Sequence, residues 1–256
     1  MAVLALVVLA GCGGASKPRP PADRLQGAIE RFTVNEQPTV LITPEPRTAR
    51  VVVYAHGSGE NVENIFRDPA KQEIFRTLLQ AGYALAASDA HGDNWGSPAS
   101  ERDTLDLVAA LRRRGLRAVY VLALSMGGFN GLQLLDAVPI KAWAGIFPAC
   151  DLASVYAVGL YPGQIRSAYG VRRGGSVRVA LRGRSPVAVD PPPGLPMRFW
   201  ASPDDRVIPK RANTDACAAL ARRAGADVEV TTTSGDHGDA SNYDAAGIVR
   251  LFESAR

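Results

Sequence analysis

Residues Ala118–Leu124 form an unbroken apolar run that passes at once into Ser125-Met126-Gly127-Gly128. A run of this length with no polar break reads as a strand buried on both faces, and the following glycines direct it through a tight turn into a helix. Such a turn needs small residues two before and two after the serine, because the two backbones almost touch there. Ala123 and Gly127 occupy those positions. The turn lifts the Ser125 hydroxyl clear of the sheet and brings the next backbone N–H groups to a helix N-terminus, where they stabilise negative charge. Taken alone, small-x-Ser-x-Gly is weak evidence, since ordinary strand–helix junctions use the same residues.

The chain around it repeats the pattern. Thr39–Thr43 and Arg50–Ala55 are short β-branched runs separated by Pro44, Glu45, Pro46 and Arg47, as expected of two strands joined by a turn. Helical periodicity follows over Ala70–Gln80, with Gly82 as its stop, and then a strand over Tyr83–Ser88. A helix over Ser100–Arg114 is expected to be capped by Ser100 and closed by Gly115. Beyond the central strand come a helix Gly127–Asp136, strands Ile140–Phe147 and Met197–Ala201, a helix Lys210–Ala224, a strand Val228–Thr233 and a helix Tyr243–Ser254. Strands alternating with helices make parallel βαβ units, so the expected architecture is α/β, a doubly wound and mostly parallel sheet with functional groups at the carboxyl ends of its strands. Asp151–Gly194 breaks the rhythm, with little periodicity apart from Val177–Arg182. A long irregular excursion is usually functional or mobile, and residues 151–194 are expected to form a small cap insertion over the site.

With 256 residues and 46% hydrophobic content the chain can bury one substantial core, and a single domain over residues 25–256 fits better than two small ones. The net charge of +4 rests on arginine, with lysine only at positions 17, 71, 141 and 210, and no basic patch interleaved with aromatics points to nucleic acid. Met1–Ala10 is apolar yet too short to span a bilayer as a helix, which suits an export signal over residues 1–11. Leu9-Ala10-Gly11-Cys12 resembles a bacterial lipobox, which implies lipidation of Cys12, a membrane anchor on the outer face of the cell membrane and a flexible Gly- and Pro-rich tether over residues 12–24; an unusual apolar leader is the alternative. Cys150 and Cys217 remain, and buried free thiols are expected in preference to a disulfide. The only histidines, His56, His91 and His237, form no metal-ligand spacing.

A nucleophilic Ser125 needs a base, and the base an orienting acid. Only His237, in Ser234-Gly235-Asp236-His237-Gly238, lies downstream, directly after the last expected strand. Asp204 and Asp205 lie just past the preceding one, ahead of Val207-Ile208-Pro209. In this order of serine, acid and histidine the chain resembles the α/β-hydrolase superfamily, over roughly residue 39 to the C-terminus. The family's Asp-x-x-hydrophobic-Pro register implies Asp205 as the acid, with Asp204 the runner-up. Its oxyanion hole implies the N–H groups of Met126 and, from His56-Gly57-Ser58-Gly59, of Ser58. Ala123 departs from the commoner glycine by one methyl.

What the resemblance implies is a serine hydrolase of carboxylic esters, acting on a small ester or acyl substrate through a Ser-His-Asp triad and an acyl-enzyme, with no cofactor or metal required. Peptidase, amidase or acyl-transfer chemistry on the same groups is the alternative, and a non-catalytic envelope-anchored binding protein a further one. His56 reads as an orienting residue for its loop. Asp89–Gly96, with His91 and Trp95, reads equally as pocket lining or as a hydrogen-bonded loop. The cap's excess of arginine (Arg166, Arg172, Arg173, Arg178, Arg182, Arg184) leaves open an acidic substrate, anionic lipid or a solvated surface.

Overall fold

The computed structural model describes residues 25–182, 184, 187–188 and 190–255; the stretches expected to be an export signal and a tether, with Cys12, lie outside the described residues. The described chain is built on an eight-stranded sheet in the order β1-β2-β4-β3-β5-β6-β7-β8. Its strands are β1 (Ala28–Val34), β2 (Gln37–Thr43), β3 (Arg50–Ala55), β4 (Ala84–Ser88), β5 (Ala118–Leu124), β6 (Ile140–Ile146), β7 (Pro196–Ala201) and β8 (Asp227–Thr232). β1 and β2 run antiparallel, β2 pairs antiparallel with β4, and every pairing from β4 to β8 is parallel. The βα connections put helices on both faces. α1 (Pro69–Gln80) and α8 (Ala245–Ser254) bury Ile74, Phe75, Leu78, Ile248, Leu251 and Phe252 against one face. α2 (Pro98–Arg113), α3 (Gly127–Gln133) and α7 (Ala216–Arg223) bury Leu107, Leu111, Leu132, Ala218 and Ala221 against the other. Each large aliphatic or aromatic side chain so enclosed contributes about 1.5–3 kcal/mol.

The strand order reverses between β3 and β5, which lie side by side with Ala55 opposite Ala123. Open α/β sheets bind ligands at such a switch point, because the loops leaving the two strands diverge and open a crevice. Here those loops begin at His56 and Ser125.

Several expectations need correction. β1 went unread because it is a largely exposed edge strand whose apolar residues fall on both faces and give no clean alternation, and its hairpin turn is Asn35-Glu36 where Asn-Gly would have signalled one; both residues take the left-handed conformation the turn requires, at φ 48° and 64°. α2 starts at Pro98, and its cap is Ser97, which accepts the Ser100 N–H; Ser100 is inside the helix, its hydroxyl donating to the Ser97 carbonyl. The helix expected over Lys210–Ala224 opens with a π-turn over Arg211–Asp215 before α7.

The 151–194 excursion is more helical than its sequence suggested. α4 (Leu152–Val158) is capped by Asp151 and ended by Gly159, and α5 (Pro162–Ala168) starts on its proline. Val177–Arg182, the one stretch there with any periodicity, holds the single-turn α6 (Arg178–Leu181). Helices this short present too few turns to show a period of 3.6. α5 reaches the loops after β3 and β4: Gln164 Oε1 accepts from the Trp95 indole (3.2 Å) and lies 2.9 Å from the Ser58 hydroxyl, and the Tyr169 hydroxyl donates to the Trp95 carbonyl (2.9 Å). Of the arginines here, Arg166 is spent on the Gly175 and Arg172 carbonyls and Arg184 on Glu101 and the Gly96 carbonyl.

Cys150 and Cys217 are joined by a disulfide, against the expectation of free thiols. Sequence separation hid what the fold supplies. Asn213, buried in the π-turn, accepts the N–H groups of Cys150 and Asp151 on its side-chain oxygen (3.0 Å each), which brings the two Cα atoms to 6.3 Å. Closing a loop of 67 residues removes unfolded-state freedom worth about 4 kcal/mol in the chain-entropy model. Cys217→Ser, or reduction of the wild type, is therefore expected to lower the unfolding free energy by about 2–4 kcal/mol in urea denaturation. Superimposable curves with and without reductant would show that no bond forms.

Candidate active site

Ser125 stands where β5 meets α3, with φ at +50°, a conformation that costs a non-glycine residue strain and persists only when its surroundings impose it. They do so through three main-chain bonds. The Ser125 N–H donates to the Ile146 carbonyl (3.1 Å), and its carbonyl accepts from Gly128 (2.9 Å) and Ala149 (2.8 Å). Gly127 fits because a Cβ there would overlap the Ala55 and His56 carbonyls, and Gly128 because one would overlap the backbone of Ala149. The methyl of Ala123, the departure from glycine, is accommodated opposite Gly131 of α3.

The three residues singled out from three distant loops meet. Ser125 Oγ lies 3.0 Å from His237 Nε2, and His237 Nδ1 lies 2.8 Å from Asp205 Oδ2. Asp205 is nearly sealed from solvent, and its other oxygen accepts the N–H groups of Val207 (2.8 Å) and Ile208 (2.9 Å). A carboxylate so placed makes Nδ1 the donor and leaves the Nε2 lone pair directed at the serine hydroxyl. The His237 ring packs on Phe147, with centroids 4.2 Å apart. Asp204 faces solvent, and its N–H donates to the Ser202 hydroxyl, so of the two acids it is Asp205 that lies against His237.

The loop after β3 lies against this serine: a methyl on Gly57 would sit 3.6 Å from Ser125 Cβ. The N–H groups of Ser58 and Met126 donate to no protein acceptor among the described residues. Behind the loop, Glu60 accepts from the Tyr54 hydroxyl (3.0 Å) and the Gly57 N–H (3.4 Å) and pairs with Lys71, which also holds Asp68 at 2.9 Å. Burial, and then the Glu60 charge, push the Tyr54 phenol well above its ordinary range and keep it a donor. His56 is not brought to the triad. Its ring nitrogens lie 2.8 Å from the Gly57 carbonyl and 3.0 Å from the Asp89 carbonyl, which ties the loop after β3 to that after β4. His91 instead pairs with Asp103, and the Trp95 indole meets Gln164.

Sequence reasoning passed over Asp236, the neighbour of His237. Its Oδ1 accepts the His237 N–H (2.8 Å) and, from the acid loop, the Arg206 N–H (3.1 Å). One exposed carboxylate thus holds together the loops that carry Asp205 and His237. The Ser-Gly-Asp-His-Gly string contains the residue but not the second loop it grips. Those two backbone bonds, His237 first, hold the Asp236 carboxyl below its ordinary value of 3.8.

No protein-family model and no curated protein sequence matches the chain. Solved structures do match in three dimensions. A puromycin hydrolase superposes with a TM-score of 0.69 at 18% identity, over 94% of this chain and 40% of its own. An esterase of Pyrococcus furiosus gives 0.66 at 14%, over 90% and 93%, and an esterase of the bacterial hormone-sensitive lipase family 0.63 at 20%, over 92% and 86%. The chain spans about two fifths of the length of the puromycin hydrolase and of Pyrococcus horikoshii acylaminoacyl peptidase. The shared architecture is the α/β-hydrolase fold.

The Asp236 bonds yield a prediction with a sign. A carboxyl whose folded pKa is depressed adds stability that is full above its unfolded value and is lost as pH falls through the folded one. Asp236→Ala should therefore destabilise the protein at pH 7 and lose that effect at pH values below the depressed pKa, as read in denaturation midpoints. Turnover of whatever substrate the site takes should drop about tenfold to a hundredfold through misplacement of His237. Asp236→Asn, which keeps an acceptor oxygen, should recover most of it.

Proposed function

We propose that the protein is a serine hydrolase that cleaves carboxylic esters with Ser125 as nucleophile, His237 as general base and acid, and Asp205 as the acid that orients it. The observation that carries this reading is the unbroken hydrogen-bonded chain from Ser125 Oγ through both nitrogens of His237 to the buried Asp205, at the carboxyl ends of β5, β8 and β7. As Ser125 Oγ bonds to the ester carbonyl carbon, its proton passes to His237 Nε2, and Asp205 stabilises the imidazolium. The carbonyl electrons move onto oxygen. The N–H groups of Ser58 and Met126 meet that oxyanion, a donor of this kind being worth on the order of 10² to 10³ in rate. Collapse expels the alkoxide, which takes the proton from His237, and a water deprotonated by the same nitrogen releases the acid and restores Ser125. No step calls on a metal or cofactor.

A second reading, cleavage of amide or peptide bonds by the same groups, draws on the neighbours named as a peptidase and a puromycin hydrolase. Fold alone does not choose between the two chemistries. From the lipobox-like Leu9-Ala10-Gly11-Cys12 we also infer export with lipid on Cys12, which mass spectrometry of the mature N-terminus would test.

Ser125→Ala should lower hydrolysis of p-nitrophenyl esters by at least about 10³-fold and abolish labelling by a fluorophosphonate. Undiminished labelling of that variant would place the nucleophile elsewhere. Asp205→Ala should cost on the order of 10³ to 10⁴ in kcat, while Asp204→Ala should stay within about twofold of wild type. The reverse ranking would move the acid to Asp204.

A further inference from the structure

The loop after β4 and helix α5 enclose a pocket of about 330 Å³ whose polar wall is formed by His91, Asp93, Asn94, Ser97, Gln164 and Ser167. None of the three candidate catalytic residues lines it, yet it adjoins the reacting centre through one residue. The Ser58 hydroxyl lies 2.8 Å from Asp93 Oδ1 and 2.9 Å from Gln164 Oε1, both in the pocket wall, while the Ser58 N–H is the proposed oxyanion donor. Tyr161, just before α5, packs on Trp95 with ring centroids 4.9 Å apart and planes inclined at 40°. Its phenol pKa is raised by burial and then by the charges of Asp205 and Asp93, so that hydroxyl is within electrostatic reach of both the triad acid and the pocket acid.

The charge in this pocket is one-sided. Asp93 Oδ1 accepts from the Ser58 hydroxyl and the Gly59 N–H (2.6 Å), while its second oxygen has no partner among the described residues. Among the described residues, no lysine or arginine lines the pocket. His91 is already matched by Asp103, at 2.5 Å from Nδ1, so it does not neutralise Asp93. A half-buried carboxylate with no cation in the wall is matched by a ligand cation. The arginines of the neighbouring segment, the one sequence hint of an acidic substrate, are absent from its wall.

We propose that this pocket is a substrate subsite for a cationic ammonium group and that Asp93 is the residue that selects for it. The inference rests on the reading of Ser125 as nucleophile and names the class of ester or acyl compound that site takes: one with an amine or quaternary ammonium close to the bond that is cut.

Substrate pairs that differ in charge and not in shape test it. The p-nitrophenyl esters of a trimethylammonio acid and of its tert-butyl isostere put the charge on the acid side, and a thiocholine ester beside the thioester of its tert-butyl isostere puts it on the leaving group. Wild type should favour the charged member of one pair by about tenfold in kcat/KM, as expected for one charge-assisted contact. Asp93→Asn should bring that ratio to near unity, and Asp93→Glu should keep it. A common loss in both members, from a loosened Ser58, cancels in the ratio. No preference in either pair, or a preference that survives Asp93→Asn, overturns the proposal. Choline binding, measured by calorimetry against sodium chloride at equal ionic strength, gives a readout without turnover. It should be retained by Ser125→Ala and lost in Asp93→Asn. If wild type cleaves none of the esters, the hydrolase reading falls, and the choline measurement alone then decides the subsite, absence of binding refuting it.

Discussion

There is no room for a side chain at position 127. The first turn of α3 passes so close to the end of β3 that a single added carbon would overlap the carbonyls of Ala55 and His56. That approach presses the loop after β3 against the turn after β5, where β3 sends α1 to one face of the sheet and its neighbour β5 sends α3 to the other. It also explains why Ser125 holds a left-handed conformation: the corner is tightened from one side by β3 and tied from the other by Ile146 and Ala149. The proposed nucleophile and the proposed oxyanion donors are products of one steric fit. Every other part of the site is brought to that fixed point.

Two supporting arrangements do the bringing, and they differ in kind. Behind the loop after β3 sits a buried set of charges, Glu60 with Lys71 and the Tyr54 hydroxyl, which braces Gly57 from inside the protein. A buried pair of this sort is costly to break, since removing either partner strands the other charge in a poorly solvated place. On the opposite side, Asp236 works at the surface, where two backbone N–H groups are enough to hold a carboxylate. His237 therefore depends on a contact open to solvent, while the loop after β3 depends on one that is closed to it.

How far the sequence disclosed this follows from the range of each interaction. β5 was readable to the residue because a doubly buried strand can be little else than apolar, and the Ser125 corner because its steric demands fall on positions two residues away. Asp205 was favoured over Asp204 from the family's register, and burial agrees, since a carboxylate that accepts two N–H groups from its own loop must point inward. What escaped was long-range or too short to be periodic. β1 gains its place from pairing with β2, and its mixture of apolar and charged residues on both faces gave no sign of it. α4 and α5 have two turns each. The Cys150 pairing depends on Asn213, which looks like any other helix-start residue until its side chain is seen to receive two N–H groups from a different strand end. Asp103, inside α2, is the buried partner of His91, a contact between a loop and a helix that local pattern does not show.

The disulfide has a reach beyond the loop it closes. On one side, Cys150 follows directly on Ala149, whose N–H is bonded to the carbonyl of Ser125. On the other, Cys217 lies in the helix that follows the acid loop. Between these ends lie α4, α5, α6, β7 and Asp205 itself. A single cut in the exposed Arg172–Ser176 stretch would thus yield two polypeptides that stay covalently joined, with serine on one and acid and histidine on the other. The protein is in this sense topologically redundant: the segment over the pocket can be severed without separating the halves of the site.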